Sequence, residues 1–351
     1  MTAPEARRYR VVQWATGAMG TACLRMLLDH PRVDVVGVHV YSEAKAGQDV
    51  GEMAGRGPTG VRSTSDRQAI LDLDADVVVH AGRIGTYGSH DDDIIALLES
   101  GANVISINGY SHPASRPGPR LDALQAAAER GGSTLMAAGL NPGFAGEQLA
   151  VVASGLVGRL DHVEIVEHAD SRAVRDPGYL FDTLGFGQTL AELGSRVEGP
   201  GAALEGMFTE VLDATAHHLG LRLDAIEPDH VQHLAASDLE VKAGTVRAGT
   251  VSHFNWRWHG LVAGERRLTV SIHWYLETAH LDRDDPPLWQ VHLTGHPGVR
   301  IDVELEKHPD DTSRMPAEPY AVGASVVNTL PHVVAAPPGV QVRPLATPAW
   351  S

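Results

Sequence analysis

The 351-residue chain is 43% hydrophobic and 21% charged, which supports a packed core and excludes a disordered polar chain. Its 44 acids against 28 bases give a net charge of −16, which opposes nucleic acid and anionic membranes, and no Lys/Arg run makes a local exception. A single cysteine, Cys23, no apolar run near the ~20 residues needed to cross a bilayer, and no signal-peptide pattern point to a soluble, cytoplasmic protein without a membrane partner.

The length predicts two domains. "RYRVVQWAT" reads as an apolar strand, and "GTACLRMLLDHP" as a helix with Leu24, Leu27 and Leu28 on one face, stopped by Pro31. "VDVVGVHVYS" is a second strand. "SDRQAILDL" is a helix before the third strand, "DADVVVHAG". "DDDIIALLESGANVISI" gives an acid-capped helix, a stop at Gly101 and a strand, and "PRLDALQAAAERGGSTLMAAGLNPG" repeats the pattern. Strands alternating with helices predict βαβ units and a parallel, doubly wound sheet covered on both faces. After about residue 150 the pattern changes to α+β: a helix over 201–220, then alternating strands in "LEVKAGTVRAGTVSHFNWRWHGLVAGERRLTVSIHWYLETAH", read as a largely antiparallel meander turning at "VAGERR". "PYAVGASVVNTLPHVVAAPPGV" is helical as far as Pro331.

"VVQWATGAMG" nearly spells a dinucleotide fingerprint, with Gly17 and Gly20 in the second and third glycine positions and Ala15 in the first, at a cost mainly in backbone freedom. The turn follows a strand and opens a helix, the setting that favours a bound pyrophosphate on Met19 and Gly20 over plain packing. At the second strand's tip Ser42 and Lys45 suit a ribose 2′-phosphate, hence NADP(H). Lys45 can equally be a solvated loop residue, and Glu43 turned inward would favour NAD(H).

Together "VVQWATGAMG", "VYSEAKAGQDVGEM", "GLNPGF", "FDTLGFG" and "VVNTLPHVVAAPPGV" resemble dihydrodipicolinate-reductase-like proteins, in the branch of 2,4-diaminopentanoate dehydrogenase and the native amine dehydrogenases. The resemblance implies an N-terminal Rossmann domain over 1–145, completed by 318–351, and a substrate and dimerisation domain over 146–317. It also implies a nicotinamide cofactor, a small-molecule substrate and a homodimer. By position, Ala15, Thr16, Gly17, Ala18, Met19 and Gly20 would hold the pyrophosphate, and Ser42 and Lys45 the ribose. His80, Ala81 and Gly82 would lie by the nicotinamide, with Ser106 and Asn108 closing the other side, and Asn141, Pro142 and Gly143 at the entry to the substrate domain. Two departures matter. The His-His-x-x-Lys segment of the reductases is absent, and the glutamate that amine dehydrogenases place just after the strand where this chain has "SINGYSHP" is replaced by Asn108 and Gly109. An amide is no base near neutral pH, so the replacement argues against capture of free ammonia and leaves hydride transfer untouched.

The oxygen or nitrogen that gains charge needs a donor, and Asn108, Tyr110 and His112 stand nearest, unless "YSHPASRPGP" is only a surface loop. Phe144, Glu167 and Tyr179 are pocket candidates, weighed against ordinary packing and a solvated strand end. The 19 histidines show no metal-ligand spacing: His217 and His218 are adjacent, and His230 and His233, a helix-type pair, lack a completing acid. Cys23 reads as a small core residue, and Trp256, Trp258 and Trp274 as a covered sheet face, a dimer interface or a substrate wall. The expectation is an NAD(P)H-dependent oxidoreductase of small apolar carbonyls, imines, amines or alcohols. The alternatives are a carbonyl or imine reductase unable to use ammonia and a non-catalytic NADP(H)-binding sensor.

Overall fold

The structure, a computed structural model, describes residues 7–83, 85–194, 198–311, 313 and 315–345. It divides into two compact units, one running to Phe144 and resuming at Leu305, the other spanning Ala145–Glu304. The chain thus returns to the first unit before residue 318.

The first unit opens with β1 (Tyr9–Trp14), α1 (Ala18–Asp29), β2 (Val33–His39), the short α2 (Val50–Met53) and β3 (Ser63–Thr64). It continues through α3 (Arg67–Leu71), β4 (Val77–His80), α4 (Asp91–Glu99), β5 (Asn103–Ser106), α5 (Pro119–Gly131) and β6 (Thr134–Ala137).

A π-helical turn, Phe144–Ala150, leads into the second unit with α6 (Val151–Ser154), β7 (Arg159–Asp170), α7 (Leu190–Leu193) and α8 (Glu198–Leu219). Then follow β8 (Ala225–Pro228), β9 (Val231–Leu234), β10 (Leu239–Val241), β11 (Gly244–Val246), β12 (Val251–Val262), β13 (Glu265–Tyr275), β14 (Trp289–His296) and β15 (Val299–Val303). The first unit closes with α9 (Ala317–Ala335) and β16 (Gly339–Val340).

The first sheet runs β3-β2-β1-β4-β5-β6-β16, parallel throughout, which is the Rossmann order with one added edge strand. Alternation along the strands divides the core. Val11, Val77, Val79, Ile105 and Met136 pack with Cys23 and Leu27 of α1 and Val326 and Leu330 of α9. Val12, Val78, Val104 and Leu135 pack with Ile94, Leu97 and Leu98 of α4 and Leu124 of α5. Each such side chain, fully buried, contributes about 1.5–3 kcal/mol. The α1 and α9 helices approach closely at Gly323, where a Cβ would lie 2.8 Å from Met26 Cγ.

Helix α9 passes through Pro331 rather than stopping there. Proline removes one helical hydrogen bond, at about 3 kcal/mol. Leu330 and Val333, both fully buried on either side of it, offset that loss by keeping the turn against the sheet.

The second sheet runs β15-β14-β7-β13-β12-β8, with β9 also paired to β12. It is mainly antiparallel, with one parallel pair, β13 beside β7; within the predicted meander β12 and β13 pair antiparallel, whereas β10 and β11 form a separate hairpin. The β12–β13 hairpin turns on Ala263 and Gly264, both at positive φ, the two-residue geometry that matches strand twist. Phe254, Trp256 and Trp258 share one buried face of β12, where Phe208 of α8 stacks on Trp258 at 5.4 Å and the half-buried Trp274 meets Trp256 edge-on.

Candidate functional site at the carboxyl edge of the parallel sheet

The turn after β1 is built to leave backbone N–H groups open. Gly17 is the N-cap of α1, and among the described residues no side chain caps the helix there. Its first-turn N–H groups therefore keep their positive ends for an external acceptor. A Cβ on Gly17 would meet nothing within 4 Å, so the backbone there is approachable, whereas one on Gly20 would lie 2.2 Å from Ala15 O. The glycines thus serve approach and close packing respectively. Buried Gln13 props the turn from beneath, donating to Ala15 O at 3.0 Å and Trp14 O at 3.2 Å.

Ala15 has φ of 71°. Its cost is left-handed strain rather than lost backbone freedom, at about 1–2 kcal/mol for an L-residue. Ala15→Gly is expected to raise the unfolding free energy by about 1 kcal/mol in urea titration. A loss of stability would show that the strain is absent.

On the ribose side, Lys45 donates from Nζ to Thr16 O at 3.0 Å, with Oγ1 at 3.4 Å. Although Lys45 is exposed, its ammonium lies back over the turn, while Ser42 and Glu43 stand in solvent.

An aromatic ladder that no sequence spacing announces crosses the adjoining strand tips. Trp14 stacks on His39 at 3.9 Å and faces His80 at 6.3 Å. Trp14 donates from Nε1 to Tyr41 Oη at 2.9 Å, and Tyr41 donates to Asp93 Oδ2 at 3.3 Å. The ladder spans β2, β1 and β4, three strands brought together only by the sheet order. Burial, reinforced by neighbouring His90 and His39, holds His80 down to about 3, so it is neutral near pH 7. Burial likewise lowers His39 and raises Tyr41.

The candidate donors behave differently from one another. Asn108 donates from Nδ2 to Gly82 O, tying the β5 tip to the β4 tip, and its N–H bonds Ser106 Oγ at 3.2 Å. Tyr110, at φ 67°, is only 3% exposed, and its hydroxyl donates to Asp91 Oδ1 at 2.8 Å. Asp91 is in turn held by Arg120 Nε at 2.6 Å. Burial, with Asp91's charge, pushes the Tyr110 hydroxyl well above its usual range. His112 is half-buried ahead of the 3-10 turn Pro113–Ser115. With Tyr110, Ser111 and Pro113 all buried, the segment is more than a solvated loop. Ala81 and Gly82 are buried beside His80. The Asn141–Pro142 peptide is cis, followed by Gly143 at φ 130° and Phe144, 43% exposed.

In the second unit, Glu167 accepts from Trp289 Nε1 at 3.0 Å, and Tyr179 is 47% exposed on a π-helical turn, Gly178–Thr183. His230 and His233 are not a helix pair: His233 lies on β9 and His230 just before it, and His230 contacts Trp256 and Trp258.

The polar face of the second sheet collects histidines. His253 lies 2.9 Å from His273 by Nε2 and Nδ1, His168 stacks on His273, and His259 bridges Asp229 and Thr269. Burial, then neighbouring histidines, hold both His253 and His273 down to about 3, below the ordinary 6.5 of the unfolded chain. Between those values the unfolded state binds the extra protons. Stability is therefore expected to fall as pH drops from 6.5, by at most about 1.4 kcal/mol per histidine per pH unit. Urea midpoints at pH 7.5 and 5.5 check this, and no difference between them would contradict it.

Comparison with known proteins places this geometry among relatives. The family described as "Dihydrodipicolinate reductase, N-terminus" matches residues 11–86. An amine dehydrogenase of Streptomyces virginiae is 27% identical over 352 residues, covering 94% of this chain and 93% of the relative. A 4-hydroxy-tetrahydrodipicolinate reductase of Synechococcus elongatus is 30% identical over 196 residues, covering 54% of this chain and 67% of the reductase. In solved structures, an amine dehydrogenase from Mycobacterium smegmatis has the same fold, with a TM-score of 0.74 at 21% identity, covering 95% of this chain and 94% of that one.

Proposed function

The chain belongs to the dihydrodipicolinate-reductase-like family, which also takes in amine dehydrogenases, and from that premise we propose that it is a nicotinamide-dependent oxidoreductase of small, mainly apolar carbonyls or imines, or of the matching alcohols or amines. The observation that carries this reading is the uncapped α1 N-terminus at Gly17, open to a pyrophosphate, with Lys45 over the same turn. The bound cofactor supplies or accepts the hydride.

The chain's own part is to hold and exclude. Gln13 fixes the turn, and Asn108 fixes the strand tips. Lys45 supplies one positive charge that favours a 2′-phosphate, so NADP(H) is preferred over NAD(H). Phe144, an exposed aromatic at the end of the first unit, offers apolar surface to a substrate.

Asn108 favours a second reading within the same class. Its carboxamide is engaged with Gly82 O and has no basicity to take a proton from an ammonium ion. Reduction of a carbonyl, or of an imine formed beforehand, asks for no such base. A cytoplasmic homodimer completes the proposal. Among the described residues no helix is long and apolar enough to cross a membrane, and light scattering at twice the chain mass would support the dimer.

The test is NADPH and NADH titration, then NADPH oxidation over small ketones and aldehydes with and without concentrated ammonium. NADPH is expected to bind more tightly, with turnover that ammonium does not raise. Turnover only with ammonium would identify an amine dehydrogenase using another group for the nitrogen. Tight binding without turnover would identify a sensor, and binding of neither nucleotide would overturn the proposal.

A further inference from the structure

The three groups His80, His90 and Asp93 stand together at the carboxyl edge of the parallel sheet. One ring nitrogen of each histidine and a carboxylate oxygen of Asp93 lie within 4.8 Å of one another. The His80 and His90 rings meet edge to face at 4.8 Å. Nothing in the sequence announced the group, because His80 ends β4 whereas His90 and Asp93 open α4.

His80 is the informative member. It is fully buried, and among the described residues neither ring nitrogen has a hydrogen-bond partner. A buried polar group left so costs free energy unless something outside the chain satisfies it. An imidazole satisfies the requirement by donating a ring-nitrogen lone pair to a bound cation. His90 is supported from behind, its Nε2 lying 2.7 Å from Arg83 O. A carbonyl that accepts from one ring nitrogen fixes the tautomer and leaves the other free to bind. Gly82 makes room: a Cβ there would lie 2.7 Å from His90 Cε1 and 3.0 Å from His80 Cε1.

We propose that His80, His90 and Asp93 form a binding site for a divalent transition metal of the zinc class, with at least one coordination position left open. Two imidazoles and one carboxylate suit zinc, cobalt or nickel, whereas calcium and magnesium want oxygen ligands. The Arg67 guanidinium, 3.2 Å from Asp93 Oδ1, opposes any cation held by charge alone, which adds to the selection for metals that bond to nitrogen. Asp93 retains lone pairs for a metal beyond those used by Arg67 and Tyr41. The site lies one strand along from the turn, since His80 is the register partner of Trp14. It does not rest on the oxidoreductase reading.

The test is titration of the metal-stripped, full-length protein with Co²⁺, followed by its visible absorption, with Zn²⁺ in competition. The expected result is one equivalent of Co²⁺ with a low-symmetry visible band, displaced by Zn²⁺, and at least 30-fold weaker binding in both His90→Ala and Asp93→Asn. These two positions are half-buried, and circular dichroism confirms that the variants fold, which the fully buried His80 would not guarantee. Absence of stoichiometric uptake overturns the proposal. So does uptake that survives both substitutions, which would place the metal elsewhere, such as on the histidines of the second sheet. NADPH titration of the same samples separates the two readings: nucleotide binding without metal uptake sinks only the metal site.

Discussion

Gly17→Asp is expected to weaken NADPH binding at least about 100-fold, roughly 2.7 kcal/mol, while leaving the protein folded. Space around the Gly17 Cβ position is open: among the described residues a Cβ there meets no atom within 4 Å. In the free protein the substitution is favourable. Gly17 is an N-cap without a side-chain acceptor, and Asp is among the better caps, worth a few tenths of a kcal/mol over glycine. The same carboxylate would occupy the N–H groups and the positive helix end that a pyrophosphate needs, and it would repel the phosphate charge. A rise in thermal midpoint together with lost fluorescence quenching by NADPH is therefore the signature. Unchanged nucleotide affinity would remove the turn from the binding site.

Asp91→Ala carries the other large effect, a loss of about 2–4 kcal/mol in stability by urea denaturation. Side-chain exposures of 19% for Asp91 and 27% for Arg120 place the pair between a surface ion pair and a fully buried one. The carboxylate accepts two bonds from Arg120 and one from Tyr110, and Arg120 also lies over the Tyr87 ring at 4.1 Å. Removing it leaves the Tyr110 hydroxyl buried without that acceptor. Tyr110→Phe removes only the donor, and is expected to cost about 1–2 kcal/mol with kcat within threefold of wild type. A kcat drop of a hundredfold at unchanged stability would instead make Tyr110 the proton donor.

The contrast between these two sites shows what was legible in the sequence. The Gly17 turn is local: strand, small residues and helix follow one another within a dozen positions, and the alternation of strands with helices announces a parallel sheet. Asp91, Tyr110 and Arg120 come from three segments, and nothing in their spacing joins them. The Trp14–His39–His80 ladder needs the order β2-β1-β4, which places three distant strand ends side by side. Pro331 misled for a different reason. A local rule about helix breaking was outweighed by burial of Leu330 and Val333, visible only once α9 lies on the sheet. The histidine face of the second sheet escaped because its members pair across strands, whereas sequence patterns report neighbours along one element.

Pairing of α1 with α9 has a consequence for synthesis of the chain. The α1 face carrying Cys23 and Leu27 is covered by Val326 and Leu330, and roughly 290 residues separate the two helices. At about 5–20 residues per second a ribosome takes about 15–60 s to traverse that interval. Throughout it the nascent parallel sheet has one of its two apolar faces incompletely clothed. The first unit therefore reaches its finished core only after the second has been translated, and a message cut short before Ala317 would release a chain with that face bare.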